Sequence, residues 1–542
     1  MKTIVLISSE KPLLNRVRQR LSSLTCGRVC ITVPVTTETA FDICAQLGMP
    51  SPPPGMEFSV MPGIHEADFG RASVRLVRGA TPEKALRELS HTPDELYAVS
   101  VSDFARCRRL MGEGTVLRFA EKTDKVPACL VPLDDGWQLR HQSELHSCMC
   151  SDERSAVIVG AGLAGAMTAY ELGRRGWKVT VLDAGCVPGS GASALYAGLI
   201  HPHWQASDSP LFQLTRAGFE AMVSLMTRFP EVFNATGVMD AASSLDEYER
   251  WREAWIEARP IAMPESFAHL LTRAEASERT GLDLSRGGWF YPKAGLVHAG
   301  RLVRRLLEAS GARVLPNTSV RLLQADRRWR AVGLTGVTLA QAPVAVVCAA
   351  LGSTSVLGLD RDVLGLHPLY GRISLLRDTD LPTLRCALTG DGYVAKTTSG
   401  FCAVGATYES GEEPQISSEM AHEHNLQTFD KLMGCRPTVL AAGFYEGIRA
   451  VPTDRMPLAG RGFIRETLQG VSFRGVPELR AIPRAEGLWI CAGLGSRGLT
   501  WGLSCAQKVA SEICAEPAMI SATLADKLDP ARFLPKRLVV GA

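Results

Sequence analysis

The stretch Arg154–Gly185, RSAVIVGAGLAGAMTAYELGRRGWKVTVLDAG, constrains this chain more than any other. An apolar, β-branched run, Ala156–Val159, leads into G-x-G-x-x-G as Gly160, Gly162 and Gly165. A helical pattern follows over Leu163–Arg175 and Gly176 stops it. A second apolar run, Val179–Leu182, ends on Asp183. Strand, glycine turn, helix, strand and terminal acid make a βαβ unit of about 30 residues, the dinucleotide-binding arrangement. The first glycine permits the tight turn, the second lets a pyrophosphate approach the backbone, and the third lets helix and strand pack closely. The helix N-terminus offers free N–H groups and a positive dipole end to phosphate. Asp183 is placed to accept from a ribose hydroxyl. A glycine-rich surface turn alone would not explain that acid.

The rest of the composition narrows the class. At 542 residues the chain is too long for one ordinary core. With 46% hydrophobic and 21% charged residues it reads as globular, and a net charge of +3 gives no global field that demands nucleic acid. Arginine outnumbers lysine, so a local basic patch can sit inside that near-neutral total. No apolar run reaches the ~18–20 residues of a membrane span, and the N-terminus reads as a strand rather than a signal peptide. The 15 cysteines are scattered. Cys148 and Cys150 form C-x-C without a second pair at zinc spacing, so no metal site is expected. Unpatterned thiols suggest a reducing cytoplasm.

Residues 1–150 read as a small α/β domain. Thr3–Ile7, Ala72–Leu76 and Tyr97–Val101 pattern as strands. Pro12–Leu24, Thr36–Leu47 (capped by Thr36 or Thr37) and Thr81–Leu89 pattern as helices, and Pro52–Gly55 breaks the chain. The region holds no glycine-rich phosphate loop. The chain turns polar around Ser151–Arg154, where the domain boundary is placed.

From Arg154 the pattern stays coherent. Gly185–Ser193 is a small-residue loop able to pass close to a ligand. Leu211–Met226, Asp246–Glu257 and Gly300–Ser310 read as helices. Gly287–His298 reads as strand–turn–strand, and Ala312–Leu315 and Val320–Leu323 as strands. Val344–Ala349 is a buried run delivering Ala350, Leu351 and Gly352 to a ligand. Leu366–Leu376 and Tyr393–Thr407 alternate like antiparallel sheet, which suggests an inserted substrate domain. Leu488–Cys491 is a strand that ends in a second glycine-rich turn, Gly493–Thr500, before a helix over Gly502–Ile513. Such a turn builds a backbone anion or flavin-ring site.

The combination GAGLAG, LDAG, GSGAS, ALG, GIRAVPTDRMPLAG and GLGSRGLTWG resembles the glycine oxidase/D-amino-acid oxidase (DAO) class of FAD enzymes. Within that class it is similar to the oxidoreductase half of the MnmC family of bifunctional tRNA wobble-uridine modification proteins. Gly495–Leu499, Gly447-Ile448-Arg449 with Asp454 and Pro457, and the tail Leu528–Arg532 with Lys536-Arg537-Leu538 carry that likeness. The resemblance implies a Rossmann-like FAD-binding domain, about 154–225, 300–355 and 440–542. It also implies an inserted, mainly antiparallel substrate domain, about 226–299 and 356–439. Residues 1–150 resemble the later part of the family's Rossmann-like methyltransferase half. Ser8–Leu13 matches a strand ending in an acid, and Val101–Arg106 stands where the family has LDGFAP, with Ser102 at the motif's aspartate. The family's methyl-donor loop would precede Met1, so this half reads as truncated and inactive, without S-adenosylmethionine.

The activity implied is removal of the carboxymethyl group of 5-carboxymethylaminomethyl-(2-thio)uridine in tRNA, giving the 5-aminomethyl form and glyoxylate. A separate methyltransferase would act downstream. The resemblance places FAD against Gly160, Gly162, Gly165, Asp183, Gly191, Ala192, Ser193, Val320, Gly352, Gly495, Ser496, Arg497, Gly498 and Leu499. A planar guanidinium suits a substrate carboxylate. Arg449 is the candidate, against a structural arginine paired with Asp454. Arg497 binds substrate or flavin carbonyl, or holds the turn. Tyr196, His201 and His203 follow the small-residue loop, where one could line the flavin; packing or surface is the plainer reading. Ser193 is followed by Ala194 and Leu195 where the family reads GASGN, a departure that weakens any side-chain role at Leu195. Trp501 is a core residue or a base-stacking one. Arg301–Arg305 and Arg327–Arg330 meet tRNA phosphates or form solvated faces. Two other readings stand beside this one: a glycine, sarcosine or D-amino-acid oxidase, and a non-catalytic FAD-containing tRNA-binding protein.

Overall fold

The computed structural model describes residues 153–534 apart from 206, 258–263, 438–440, 470–478, 480–481, 515 and 517–519. Before them it describes 2–6, 11–23, 29–35, 40–47, 49, 63–68, 72–78, 95–98, 116–119, 130–133 and 136–139. The chain divides into two compact units. One is Met1–Cys150 with Ile261–Pro264 and Ala510–Ala525; the other is Ser151–Pro260, Glu265–Val509 and Asp526–Ala542.

The first unit is built on an eight-stranded sheet. Its spatial order is Gly63–Asp68, Ala72–Arg78, Val29–Val35, Lys2–Leu6, Glu95–Ala98, Val116–Phe119, Gly136–Leu139, Leu130–Leu133. The five strands from Ala72–Arg78 to Val116–Phe119 run parallel. Helices Lys11–Ser23 and Ala40–Leu47 turn Leu13, Leu14, Val17, Ile43 and Leu47 inward, the spacing of an amphipathic helix. The first strand, Lys2–Leu6, lies centrally, with the order running outward on both sides. Such a switch point is where doubly wound sheets bind ligands, at the carboxyl ends of the strands. The segment after Leu6, Ile7-Ser8-Ser9-Glu10, contains no glycine. That segment lies outside the described residues. So do the helix read at Thr81–Leu89, the caps Thr36 and Thr37, Pro52–Gly55, Val101–Arg106, Cys148, Cys150 and Lys536–Leu538.

In the second unit a six-stranded sheet carries the dinucleotide motif. Its order is Arg313–Leu315, Lys178–Leu182, Ser155–Val159, Val344–Val347, Leu488–Ala492, Leu458–Arg461, parallel except at the last pair. The central strands are apolar throughout because both faces are covered, the mark of a buried parallel sheet. A three-stranded sheet of Val320–Ala325, Arg328–Gly333 and Thr338–Ala342 shares a core with it. Val157, Val159, Val347 and Ile490 meet Val320, Leu322 and Trp329 there. Leu163–Gly173 packs on Ala299–Ser310, and Gly173 is where they touch: a Cβ there would stand 2.4 Å from the Ser310 carbonyl oxygen.

A nine-stranded sheet forms the remaining layer. It is antiparallel except where Val238–Ala241 runs beside Ala387–Gly390. Helix Ser418–Met433 covers one face, with Leu426 and Phe429 packed among Leu376, Leu388, Val394 and Val404. The strand Gly443–Pro452 pairs along Leu366–Arg377 from Leu366↔Pro452 to Leu375↔Gly443. The sheet therefore extends beyond the boundary expected at 439. Gly287–His298 is strand–turn–strand as read: Gly288–Tyr291 and Gly295–Val297 are both strands with a turn between them, and they enter different sheets. The helix expected over Gly502–Ile513 starts at Gly498, because the short 3-10 turn Gly495–Arg497 runs straight into it. Among the described residues no helix is long and apolar enough to cross a membrane.

Candidate functional site

Three short segments build the site, two of them against the strand Gly443–Pro452, and each is shaped by residues without bulk. In the first, Gly160 has φ +110°, and a Cβ there would stand 2.4 Å from the Cys348 carbonyl oxygen. A Cβ at Gly165 would meet the Gly160 carbonyl oxygen at 1.8 Å, so helix and turn touch with no room for a side chain. Gly162 caps the helix without a side chain, and the missing cap comes from elsewhere in the chain. The Leu163 N–H donates to Ser193 Oγ at 3.1 Å. Asp183 ties the turn together: the Ala161 N–H donates to its Oδ2 at 2.5 Å and the Gly185 N–H to its Oδ1 at 2.8 Å. A carboxylate has about four lone-pair sites, so acceptor capacity remains for a ligand hydroxyl.

The second segment is the small-residue loop, a 3-10 turn over Gly191–Ala194 with no buried residue. Tyr445 donates its hydroxyl to the Gly191 carbonyl at 2.8 Å. A Cβ on Gly447 would lie 3.1 Å from Ala192 Cα. Side chains alternate along a strand, so Tyr445, Gly447 and Arg449 share one face. The sequence holds this signal as Y-x-G-x-R.

The third segment is the turn after Leu488–Ala492. Gly493 has φ +68° and faces Pro452 and Leu366, where a Cβ would come within 2.8 Å of each. Gly495 has φ +57° and opens the turn that carries Ser496 and Arg497. Trp501 is buried and donates its indole N–H to the Leu494 carbonyl at 2.9 Å, which makes it a core residue. Leu499 is buried against Gly198, whose missing Cβ would lie 2.1 Å from Leu499 Cδ1.

Arg449 donates to Ser496 Oγ at 3.4 Å, and its guanidinium lies 4.8 Å from the Tyr408 ring centroid. Gly371 has no space for a Cβ because Arg449 Nη2 would be 2.7 Å away. Among the described residues no carboxylate pairs with Arg449. The alternative pairing with Asp454 is absent, because Arg532 takes both oxygens of that carboxylate at 2.8 and 2.9 Å. Burial would raise Asp454, but Arg532 and the Met456 N–H hold it below the usual carboxylate range. In turn, Asp529 is held by Arg484 at 2.9 Å. The sequence tail thus serves as a clamp on the fold.

Arg497 lies 5.7 Å from the Trp501 ring. Burial lowers its pKa from the ordinary arginine value; Tyr408 opposes this, Arg455 adds to it, and Asp240 opposes it again. Nearby, His201 is buried, with its ring 4.4 Å from that of His203. Burial, then His203, hold His201 well below the ordinary imidazole value and so neutral. His203 faces Asp240 at 3.6 Å.

Sequence reasoning passed over Tyr393, Tyr408 and Tyr445. Tyr393 buries a hydroxyl that has no hydrogen-bond partner among the described residues. Burial raises its pKa far above the ordinary phenol; Arg449 opposes the shift, and Tyr408 and Tyr445 add to it. A buried orphan donor within the field of Arg449 fits a ligand acceptor. No spacing rule marks such a residue, since its neighbours come from three strands.

The other expected cofactor residues fall as follows. Val320 is buried at the start of its strand, close in sequence to Thr318, whose N–H donates to the Asp183 carbonyl at 2.7 Å. Gly352 closes a 3-10 turn and has only Ala349 Cβ, at 3.8 Å, near its own missing Cβ. Arg305, Arg327, Arg328 and Arg330 are ion-paired to Glu231 with Glu308, Glu486, Glu153 and Asp326. A glycine turn, a loop without bulk and a second glycine turn, with Asp183 at the strand end, form a cradle that fits an FAD.

Over residues 155–512 the chain matches the family described as FAD dependent oxidoreductase (DAO). It is 31% identical over 530 residues to the tRNA 5-methylaminomethyl-2-thiouridine biosynthesis bifunctional protein MnmC of Burkholderia mallei (strain SAVP1), covering 89% of this chain and 79% of that one. Among solved structures, glycine oxidase from Geobacillus kaustophilus superposes with a TM-score of 0.56 at 21% identity, covering 70% of this chain and 98% of its own. Iminodiacetate oxidase from Chelativorans sp. BNC1 gives 0.54 at 24% identity, covering 67% and 96%. At those identities the structures speak to the fold alone.

Proposed function

The chain belongs to the DAO family of FAD dependent oxidoreductases and to the MnmC proteins, and from that premise we propose that it removes the carboxymethyl group from 5-carboxymethylaminomethyl-(2-thio)uridine at the wobble position of tRNA. Its products are the 5-aminomethyl nucleoside and glyoxylate. The observation that carries this reading is the Arg449 guanidinium. It faces Ser496 beside the glycine turn and has no carboxylate partner among the described residues.

FAD, when bound, supplies the two-electron acceptor for the amine oxidation. Gly160, Gly162, Gly165, Asp183, Gly191, Ala192, Ser193, Val320, Gly352, Gly495, Ser496, Gly498 and Leu499 are the residues proposed to hold it. Arg449 binds the substrate carboxylate through charge-assisted bonds, and Tyr393 offers its unpaired hydroxyl to the same group. Tyr445, fixed on the Gly191 carbonyl, keeps strand and loop in register. Arg497, on the same turn as Ser496, helps to orient the substrate. Loss of a hydride from the methylene between nitrogen and carboxylate, and of the amine proton to water, leaves an imine. Addition of water then releases glyoxylate and the primary amine. His201 stays neutral and adds no charge near Arg497.

Residues 1–150 are proposed to be a methyltransferase-like domain without methyl transfer, so a separate cytoplasmic enzyme would methylate the product. Product analysis after turnover with the modified tRNA tests both parts. One glyoxylate per aminomethyl nucleoside, unmethylated when S-adenosylmethionine is added, is expected. Glyoxylate from free glycine or sarcosine but not from tRNA would replace this reading with an amino-acid oxidase. A methylated product would overturn the inactive assignment of residues 1–150.

A further inference from the structure

Just past the small-residue loop Gly191–Ala194 an exposed aromatic ring stands at the head of an arginine-bearing helix. Tyr196 is 41% exposed, and its ring centroid lies 4.5 Å from that of His298. Its position is fixed by both halves of the candidate site. The Leu195 carbonyl accepts the Ala299 N–H at 3.0 Å, and two residues past Tyr196 the chain is pressed against Leu499 at Gly198. His298 caps helix Ala299–Ser310, accepting the Arg301 N–H at 3.3 Å. That helix turns Leu302, Val303, Leu306 and Leu307 inward and leaves Arg301, Arg304 and Arg305 exposed.

The charges on this face do not cancel. Arg305 takes both nearby acids, Glu231 at 2.8 Å and Glu308 at 2.6 Å. Among the described residues Arg301 and Arg304 have no acidic partner. Burial, then Arg301 and Arg304, hold His298 below the ordinary imidazole value, so the ring against Tyr196 is neutral and both guanidiniums lie close to it. An open aromatic face beside unneutralised guanidiniums is how single-stranded nucleic acid is held: the ring takes a base and the cations take phosphates. A uridine whose side group must reach Arg449 leaves its stack, and its neighbours in the strand are then exposed.

We propose that Tyr196, Arg301 and Arg304 form the docking face for the RNA strand flanking the modified uridine. Tyr196 stacks on an adjacent base, and the two arginines meet backbone phosphates. This rests on the tRNA reading above.

The test compares wild type with Tyr196→Ala and with the double variant Arg301→Glu/Arg304→Glu, each checked for flavin content. Half-saturation for anaerobic flavin reduction is measured with the modified tRNA and with the free modified nucleoside. Binding of an anticodon stem-loop RNA is read separately by fluorescence anisotropy across salt concentrations. Both variants should raise the tRNA half-saturation by about tenfold or more and leave that for the nucleoside unchanged. The double variant should flatten the salt dependence of RNA binding by about 1.4 in log–log slope, two phosphate contacts at roughly 0.7 each. RNA binding and tRNA half-saturation equal to wild type in both variants would overturn the docking face while leaving the tRNA reaction intact. A wild type that binds the stem-loop through these residues, yet is not reduced by modified tRNA, would sink the proposed reaction and keep the surface.

Discussion

Arg449 shows how one side chain's role follows from what it lacks. It stands on a strand whose alternation also delivers Tyr445 and Gly447, beside a turn that offers only a serine hydroxyl, and its one obvious acid is already taken by Arg532. A guanidinium in that setting keeps its donors for a ligand. Removing one partner of a bonded charge pair costs about 2 kcal/mol or more, so Arg449→Met should raise half-saturation for the carboxylate substrate by roughly 30-fold. Arg449→Lys should recover only part, because a point charge replaces a planar fork. Anaerobic titration of flavin reduction checks both; an unchanged half-saturation in Arg449→Met would remove the residue from substrate binding. Arg449 was legible as a candidate because G-I-R is a short, local pattern. Tyr393 was not, because its significance is an unpaired hydroxyl that only the assembled strands reveal.

At the scale of elements, the dinucleotide unit was the most readable part, since strand, turn and helix are fixed by neighbours in sequence. Where expectation missed, partners far along the chain decided. Ser193 caps the helix at Leu163 from 30 positions away. Strand Gly443–Pro452 joins the substrate sheet although its sequence neighbours sit by the cofactor cradle. The tail is a third case: the short turn Pro530–Phe533 is pinned by Asp454–Arg532 and Arg484–Asp529. Asp454 has its folded pKa held below the unfolded value, near 3.8. Its contribution is therefore complete above about pH 4 and is lost as pH falls through the folded value. Thermal unfolding from pH 7 to pH 3 should show a midpoint that falls at the acid end, and Asp454→Asn should lower the neutral-pH midpoint and flatten that fall. An acid limb as steep in Asp454→Asn as in wild type would show that other carboxylates control it.

At the scale of the whole molecule, short motifs far apart in sequence are tied together: Ser193 bonds the first glycine turn at Leu163, and strand Gly443–Pro452 meets both the Gly191–Ala194 loop and the second glycine turn, the arrangement proposed to cradle the flavin. The first unit keeps Lys2–Leu6 as a central strand of its sheet. The central claim is that the assembled site oxidises a glycine-like amine borne on tRNA. The most direct measurement is anaerobic mixing of the FAD-loaded protein with tRNA carrying 5-carboxymethylaminomethyluridine, following the oxidised-flavin absorption band near 450 nm, roughly the region of that cofactor. The account predicts bleaching by this tRNA and none by free glycine or sarcosine. Bleaching by the free amino acids alone, or by neither, would contradict it.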